Sequence, residues 1–151
     1  MKKIISGLFL TLTALSSFAQ TADDEIKKIQ SYIQTTSQNE WFDPVNKTGT
    51  LENGSVYDLA YYIKPDRDTF SIIYTVFEKH TLKKIFYYRN NDLVACIVEE
   101  TDPNNANKLL QYADYFYKDQ ALINSADEKK SFSSKEIYEE GIKKLGELTN
   151  R

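Results

Sequence analysis

Apolar and polar residues alternate along this chain in three successive patterns, and each pattern predicts a different element. Near the start, three isoleucines recur at helical spacing directly after an acidic run: Ile26, Ile29 and Ile33. They predict a helix that is capped by Thr21 or Asp23 and ends near Thr35 to Gln38. From residue 55 to residue 125 the period becomes two and the apolar residues become aromatic or β-branched, which is typical of strands.

The period-two region divides into six candidate strands. They are Val56 to Ile63, Thr69 to Phe77, Leu82 to Tyr88, Leu93 to Glu100, Leu109 to Tyr117 and Ala121 to Ser125. The links between them are short and rich in Asn, Asp and Pro, which favour turns. None of these links can hold the crossover helix that a parallel pair requires, so we expect an antiparallel meander.

The helical period returns in the last 20 residues, where the start of a second helix is clearly marked. Ser133 and Glu136 have the spacing of a capping box, and Phe132 and Ile137 have the spacing of a hydrophobic staple. The predicted fold is α+β: an N-terminal helix, an antiparallel meander of about six strands and a C-terminal helix, with both helices packed on one sheet face.

The first 19 residues have the three parts of a signal peptide. Lys2 and Lys3 are basic, the stretch from Ile4 to Leu15 is mainly apolar, and small residues precede Gln20. The apolar stretch is too short to span a bilayer, and no cysteine near the cleavage point could carry a lipid. We therefore expect cleavage before Gln20, a single domain over 20–151, no membrane insertion after cleavage, and a periplasmic or extracellular location.

Charge and cysteine content narrow the classes of partner. The net charge of −3 includes Lys2 and Lys3, so the processed chain carries −3 − 2 = −5. This balance argues against nucleic acid and anionic membranes, which bind basic surfaces. Cys96 is the single cysteine, so no intramolecular disulfide can form, and its apolar neighbours predict a buried, unreactive thiol.

One internal repeat is visible: Phe86 to Val94 aligns without gaps to Tyr115 to Ile123. Each copy has aromatic residues, a basic residue, a polar turn and then two aliphatic residues. This sequence pattern resembles the Tyr-Tyr-x-Asn-x-x-Leu hairpins of MORN-like repeat proteins and of small exported Bacteroidota proteins of unknown function. Asn91 and Gln120 stand where MORN units have glycine. The resemblance implies two strand–turn–strand units and transfers no function.

The parity of the hairpins predicts a tyrosine face. If Asn90 and Asn91 form a two-residue turn, one face carries Phe86, Tyr88, Tyr115 and Tyr117, and the opposite face carries Cys96. With both helices placed on the Cys96 face, these four aromatic residues become the candidate binding site. The predicted function is a non-enzymatic binding module for a protein, peptide or envelope component. Sugar stacking would use the same rings, and aromatic pairs also stabilise sheets without any ligand.

Catalytic signals are weak. The alternative function is a small periplasmic hydrolase with carboxylate chemistry at Glu99, Glu100 and Asp102. A third possible function is a calcium-stabilised envelope protein, although the loop that contains these three carboxylates does not match the EF-hand template. His80 lies in a predicted turn with no second histidine to share a metal. We expect no cofactor and no metal. Trp41 and Phe42 are interpreted as an anchor for the loop that follows the first helix.

Overall fold

The protein is described by a computed structural model over residues 6–38, 44–123 and 132–149, with side chains from residue 21 onward except at 106, 107 and 149. Its elements are α1 (Ser6–Ser37), β1 (Val45–Thr50), β2 (Val56–Ile63), β3 (Thr69–Phe77), β4 (Thr81–Arg89), β5 (Asp92–Asp102), β6 (Asn105–Lys118), β7 (Ala121–Leu122) and α2 (Ser134–Thr149). The strands form one antiparallel sheet in sequence order. The predicted α+β class and the helix–meander–helix order are confirmed.

All six predicted strands are present, and β2 and β3 have the predicted bounds. The last strand, β7, is shorter than predicted. Strand β1 is not among the predicted strands; it lies at the edge of the sheet and is exposed except at Gly49. A fully exposed strand has no reason to alternate polar and apolar residues, so β1 lacks the period-two signal.

The internal repeat forms two matching hairpins. Asn90 and Asn91 have φ angles of 55° and 62°, and Asp119 and Gln120 have φ angles of 49° and 67°. Two consecutive positive φ values are the mark of a type I′ turn, whose twist matches that of the flanking strands. Both copies are therefore hairpins closed by two-residue turns, as the repeat predicts.

A β-bulge in β5 changes the predicted faces of the sheet. Tyr88 pairs with Leu93 but Tyr87 pairs with Ala95, so Val94 is an extra residue on β5. The extra residue reverses the parity of β5 beyond it. Cys96 therefore lies on the same face as Phe86 and Tyr88, not on the opposite face as predicted.

The two helices cover opposite faces, so the prediction that they share one face is wrong. On one face, called the α2 face, Ile137 of α2 packs in a core with Phe86, Tyr88, Tyr115 and Tyr117. On the other, called the α1 face, Ile29 of α1 packs with Val94, Ala95 and Phe116. The end of the sheet that carries the two repeat hairpin turns is apolar on both sides, and one helix per side removes both surfaces from water.

The start of α2 agrees with the predicted cap. The carbonyl oxygen of Ser133 accepts a hydrogen bond from the amide of Ile137 at 3.1 Å, which places Ser133 at the N-cap. Phe132 and Ile137 both contact the core of the α2 face, as a hydrophobic staple requires.

The first helix begins at Ser6 and runs without a break through the predicted cleavage point before Gln20, so the predicted cap at Thr21 or Asp23 is wrong for the unprocessed chain. Its described contacts with the sheet all come from residues after that point, among them Ile26, Ile29, Tyr32 and Ile33. No helix in the described part of the chain is both long and apolar enough to cross a membrane. The anchor predicted at Trp41 and Phe42 lies outside the described residues.

Candidate functional site

The predicted binding residues are all in the core. Phe86 and Tyr88 are 0 % exposed, Tyr115 is 1 % exposed and Tyr117 is 2 % exposed. The candidate binding site that the hairpin parity predicts is therefore not accessible to a partner at the surface. The physical reason is the position of α2, which lies on the tyrosine face and removes it from solvent.

Hydroxyl groups on this face fasten α2 to the sheet. Tyr115 donates a hydrogen bond to the carbonyl oxygen of Phe132 at 2.9 Å, Tyr117 to that of Ser134 at 2.7 Å, and Tyr88 to that of Gly141 at 2.8 Å. Burial raises the pKa of Tyr88 and of Tyr117 well above the ordinary value, so both stay protonated donors. These tyrosines serve the packing of α2.

Two further reactive groups lie in the same core. The thiol of Cys96 is 0 % exposed, and burial raises its pKa, which the nearby Lys84 only partly offsets. The amine of Lys84 forms an ion pair with Glu140 of α2 and lies 5.2 Å from the centre of the Phe132 ring. A protonated, enclosed thiol is a poor nucleophile, so Cys96 is not a candidate nucleophile.

The carboxylates of the alternative hydrolase do not converge. Glu99 forms an ion pair with Lys83 at 3.2 Å on the α1 face, and its neighbour Glu100 lies on the opposite face because successive strand residues alternate. Asp102 accepts a hydrogen bond from the amide of Asn104 at 2.9 Å, within its own turn. Among the described residues, no group of three His, Cys, Asp or Glu side chains could hold a metal ion.

The surface that stays accessible is the part of the α1 face that α1 does not reach. The described contacts of α1 are confined to the end near the β4–β5 turn, where Tyr32 donates to the carbonyl oxygen of Tyr88 and contacts Phe70. We call the remainder the open face. It presents four exposed apolar side chains: Val56 at 44 %, Phe77 at 44 %, Leu109 at 52 % and Tyr112 at 53 % exposure.

The register places these side chains in two adjacent rows across the sheet. Val56 pairs with Phe77, and Leu109 lies in the same row on β6. Tyr112 lies in the next row, and the Lys83–Glu99 ion pair lies at the centre of that row. The open face therefore has one exposed apolar group on β2 and β3 and a second on β6, with Thr81, Thr101 and the Lys83–Glu99 ion pair between them.

A shallow concavity of about 200 Å³ indents the open face where it crosses β1, β2 and β3. Ala60 and Ile73 contribute apolar surface to it. At its rim, the hydroxyl of Thr48 donates a hydrogen bond to the carboxylate of Asp58 at 2.8 Å. The concavity is too open to enclose a small molecule, but a single side chain of a partner fits its volume.

Phe77 and Tyr112 are not among the binding residues predicted from the sequence. Their signal was present, because the strand parity places both on the face opposite Tyr74 and Tyr115. The choice between the two faces depends on where each helix packs, and the hydrophobic pattern of the strands is equally apolar on both sides near the hairpins.

The comparisons with known proteins found no match: no family model, no curated protein and no solved structure matches the sequence. The resemblance of the two hairpins to MORN-like repeats therefore stays a prediction.

Proposed function

We propose that this protein is an exported, non-enzymatic binding module that contacts a protein or peptide through the open face. The observation that carries the proposal is the exposure of Val56, Phe77, Leu109 and Tyr112 on one side of a sheet whose other side carries the core beneath α2. Soluble proteins rarely leave several large apolar side chains together on one surface unless that surface contacts something.

The chemistry of the open face suits a macromolecular partner. Tyr112 and Phe77 supply rigid aromatic surface, which is enriched in the centres of protein interfaces. The Lys83–Glu99 pair is about one third exposed on each side chain, so it offers a donor and an acceptor that can fix orientation. Neither feature provides the nucleophile or the converging acid and base that a hydrolase needs.

Export is part of the proposal and is supported by the three-part pattern of residues 1–19. The described helix–sheet contacts begin at Glu25, so removal of residues 1–19 leaves every one of them in place. Intact-mass analysis of the protein recovered outside the cytoplasm should give a chain that begins at Gln20. A recovered chain that retains Met1 would contradict processing at this point.

The binding surface is testable by site-specific photo-crosslinking in the producing cells. A photoreactive phenylalanine analogue is placed at Tyr112 or at Phe77, and in the matched control at Ile142, which is an equally exposed apolar residue on α2 at 40 % exposure. We expect a discrete adduct of one mass from the two open-face positions and none from the control. Adducts of equal yield at all three positions, or none at Tyr112 and Phe77, would contradict the proposal.

Substitution provides a second measurement once a partner is identified by the adduct. Tyr112→Ser should weaken binding at least tenfold, because truncation of a central aromatic anchor commonly costs about 2 kcal/mol or more. Ile142→Ser should leave binding unchanged. Both variants remove exposed side chains, so their melting temperatures should stay close to that of the wild type, and unequal stability would invalidate the comparison.

A further inference from the structure

The outer edge of β1 has the geometry of an unpaired sheet edge. Within residues 44–123 and the two described helices, β2 is the strand that pairs with β1, and it does so on one side. The register from Val45 to Thr50 is continuous, without a bulge that would twist the edge away. Natural edges carry a row of backbone donors and acceptors that readily accept another strand.

The turn after β1 fixes which backbone groups face outward. The amide of Leu51 donates to the carbonyl oxygen of Ser55 at 2.8 Å, so these two residues form a hydrogen-bonded pair. Hydrogen-bonded and non-hydrogen-bonded pairs alternate along an antiparallel ladder. Thr50, Thr48 and Asn46 therefore occupy non-hydrogen-bonded pairs with β2, and their amide and carbonyl groups point away from the sheet.

We propose that a second copy of this chain pairs antiparallel with β1 about a two-fold axis at Thr48. In this register Thr48 faces Thr48 of the second copy, and Asn46 faces Thr50 on each side. Each facing pair exchanges two backbone hydrogen bonds, so the three pairs give about six. Shifting the register toward the start of β1 brings in Pro44, which has no amide to donate, and shifting it toward the end removes facing pairs.

The side chains of β1 suit this register. Lys47 is the one charged residue of β1, and the two-fold axis places it opposite Gly49 of the second copy, so no like charges face each other. A Cβ atom at Gly49 would lie 2.5 Å from the Tyr57 ring, so this ring lies directly over the backbone of β1 at Gly49.

The two-fold pairing also joins the two open faces. Asn46 and Thr48 lie beside the concavity, so the concavities of the two copies flank the axis on the same side of a continuous sheet. The pairing stands on the β1 edge and would hold whether or not the open face binds a partner.

Sedimentation velocity tests the pairing, with purified processed protein from about 10 µM to about 1 mM, the range in which a small interface is measurable. The test variant is Thr48→Pro and the matched control is Thr48→Val. Both lose the hydrogen bond from Thr48 to Asp58, but the proline alone loses the outward amide, and an edge strand tolerates it there. We expect a dimer whose dissociation constant rises at least tenfold in Thr48→Pro and less than threefold in Thr48→Val.

Amide hydrogen exchange gives a readout that requires no variant. Protection of the Asn46, Thr48 and Thr50 amides should increase with protein concentration, while the Lys47 amide, already bonded to β2, should not change. A monomer throughout this concentration range would overturn the proposal. Equal effects of the two substitutions, or exchange at Thr48 that is independent of concentration, would overturn it as well and would leave the edge to an extended peptide of another chain.

Discussion

Gly141 is predicted to be required by the packing of α2 against the sheet, and Gly141→Ala tests this directly. Gly141 is buried in the middle of α2, and its carbonyl oxygen accepts the hydrogen bond from Tyr88. A Cβ atom added there would lie 2.8 Å from Leu93 Cδ2 and 2.9 Å from Phe86 Cδ1. Carbon atoms in protein interiors normally pack at about 3.5–4.0 Å, so the helix or both side chains must move.

Two opposing effects set the magnitude. Alanine in a helix interior is more favourable than glycine by about 1 kcal/mol. Forcing an extra carbon into a packed core costs about 1–3 kcal/mol, and neither neighbour can swing into solvent, since Phe86 is 0 % and Leu93 is 3 % exposed. The overpacking cost is the larger, and we expect a net destabilisation of up to about 2 kcal/mol.

Gly146 provides the matched control in the same helix. A Cβ atom at Gly146 has no atom within 4 Å, so Gly146→Ala gains helix propensity without any clash. We expect this variant to be more stable than the wild type by up to about 1 kcal/mol. Urea unfolding of the three proteins measures both effects. If Gly141→Ala were as stable as Gly146→Ala, the close approach of α2 to Phe86 and Leu93 would be refuted.

Three further predictions concern a thiol, a cap and a carboxylate. Cys96 should resist thiol reagents in the native protein, because it is buried with a raised pKa, and Cys96→Ser should cost about 1–3 kcal/mol in urea unfolding; rapid labelling would contradict this. Ser133→Ala should cost about 1 kcal/mol, since Ser133 is the N-cap of α2, and an unchanged melting temperature would contradict the cap. Burial raises the pKa of Glu25, but three cations within 3.6 Å outweigh it and lower the pKa overall. A carboxylate whose pKa is lower in the folded than in the unfolded protein stabilises the fold at pH values above its unfolded pKa, and this stabilisation is lost as the pH falls through its folded pKa. Glu25→Gln should therefore destabilise the protein at pH 7 and much less at about pH 3. A loss of stability that does not depend on pH would refute the ion pairs.

Local structure follows closely from local sequence in this chain. The hairpin turns form where two polar residues that tolerate positive φ separate aromatic from aliphatic residues, as at Asn90 and Asn91. The bounds of β2 and β3 and the N-cap at Ser133 are also set by neighbouring residues, because turn and cap preferences act over two to four positions. For the same reason the α+β class and the order of elements could be predicted.

The candidate site depended on long-range packing that no local pattern encodes. A single bulge residue, Val94, decides which face Cys96 occupies, and α2 rather than solvent covers Tyr88 and Tyr117. Both faces of the sheet near the hairpins are apolar, so strand parity alone favours neither as the exposed one. The two helices lie on opposite faces and leave Phe77 and Tyr112 accessible. The helix positions depend on the burial of the whole sheet and not on the sequence of any one strand.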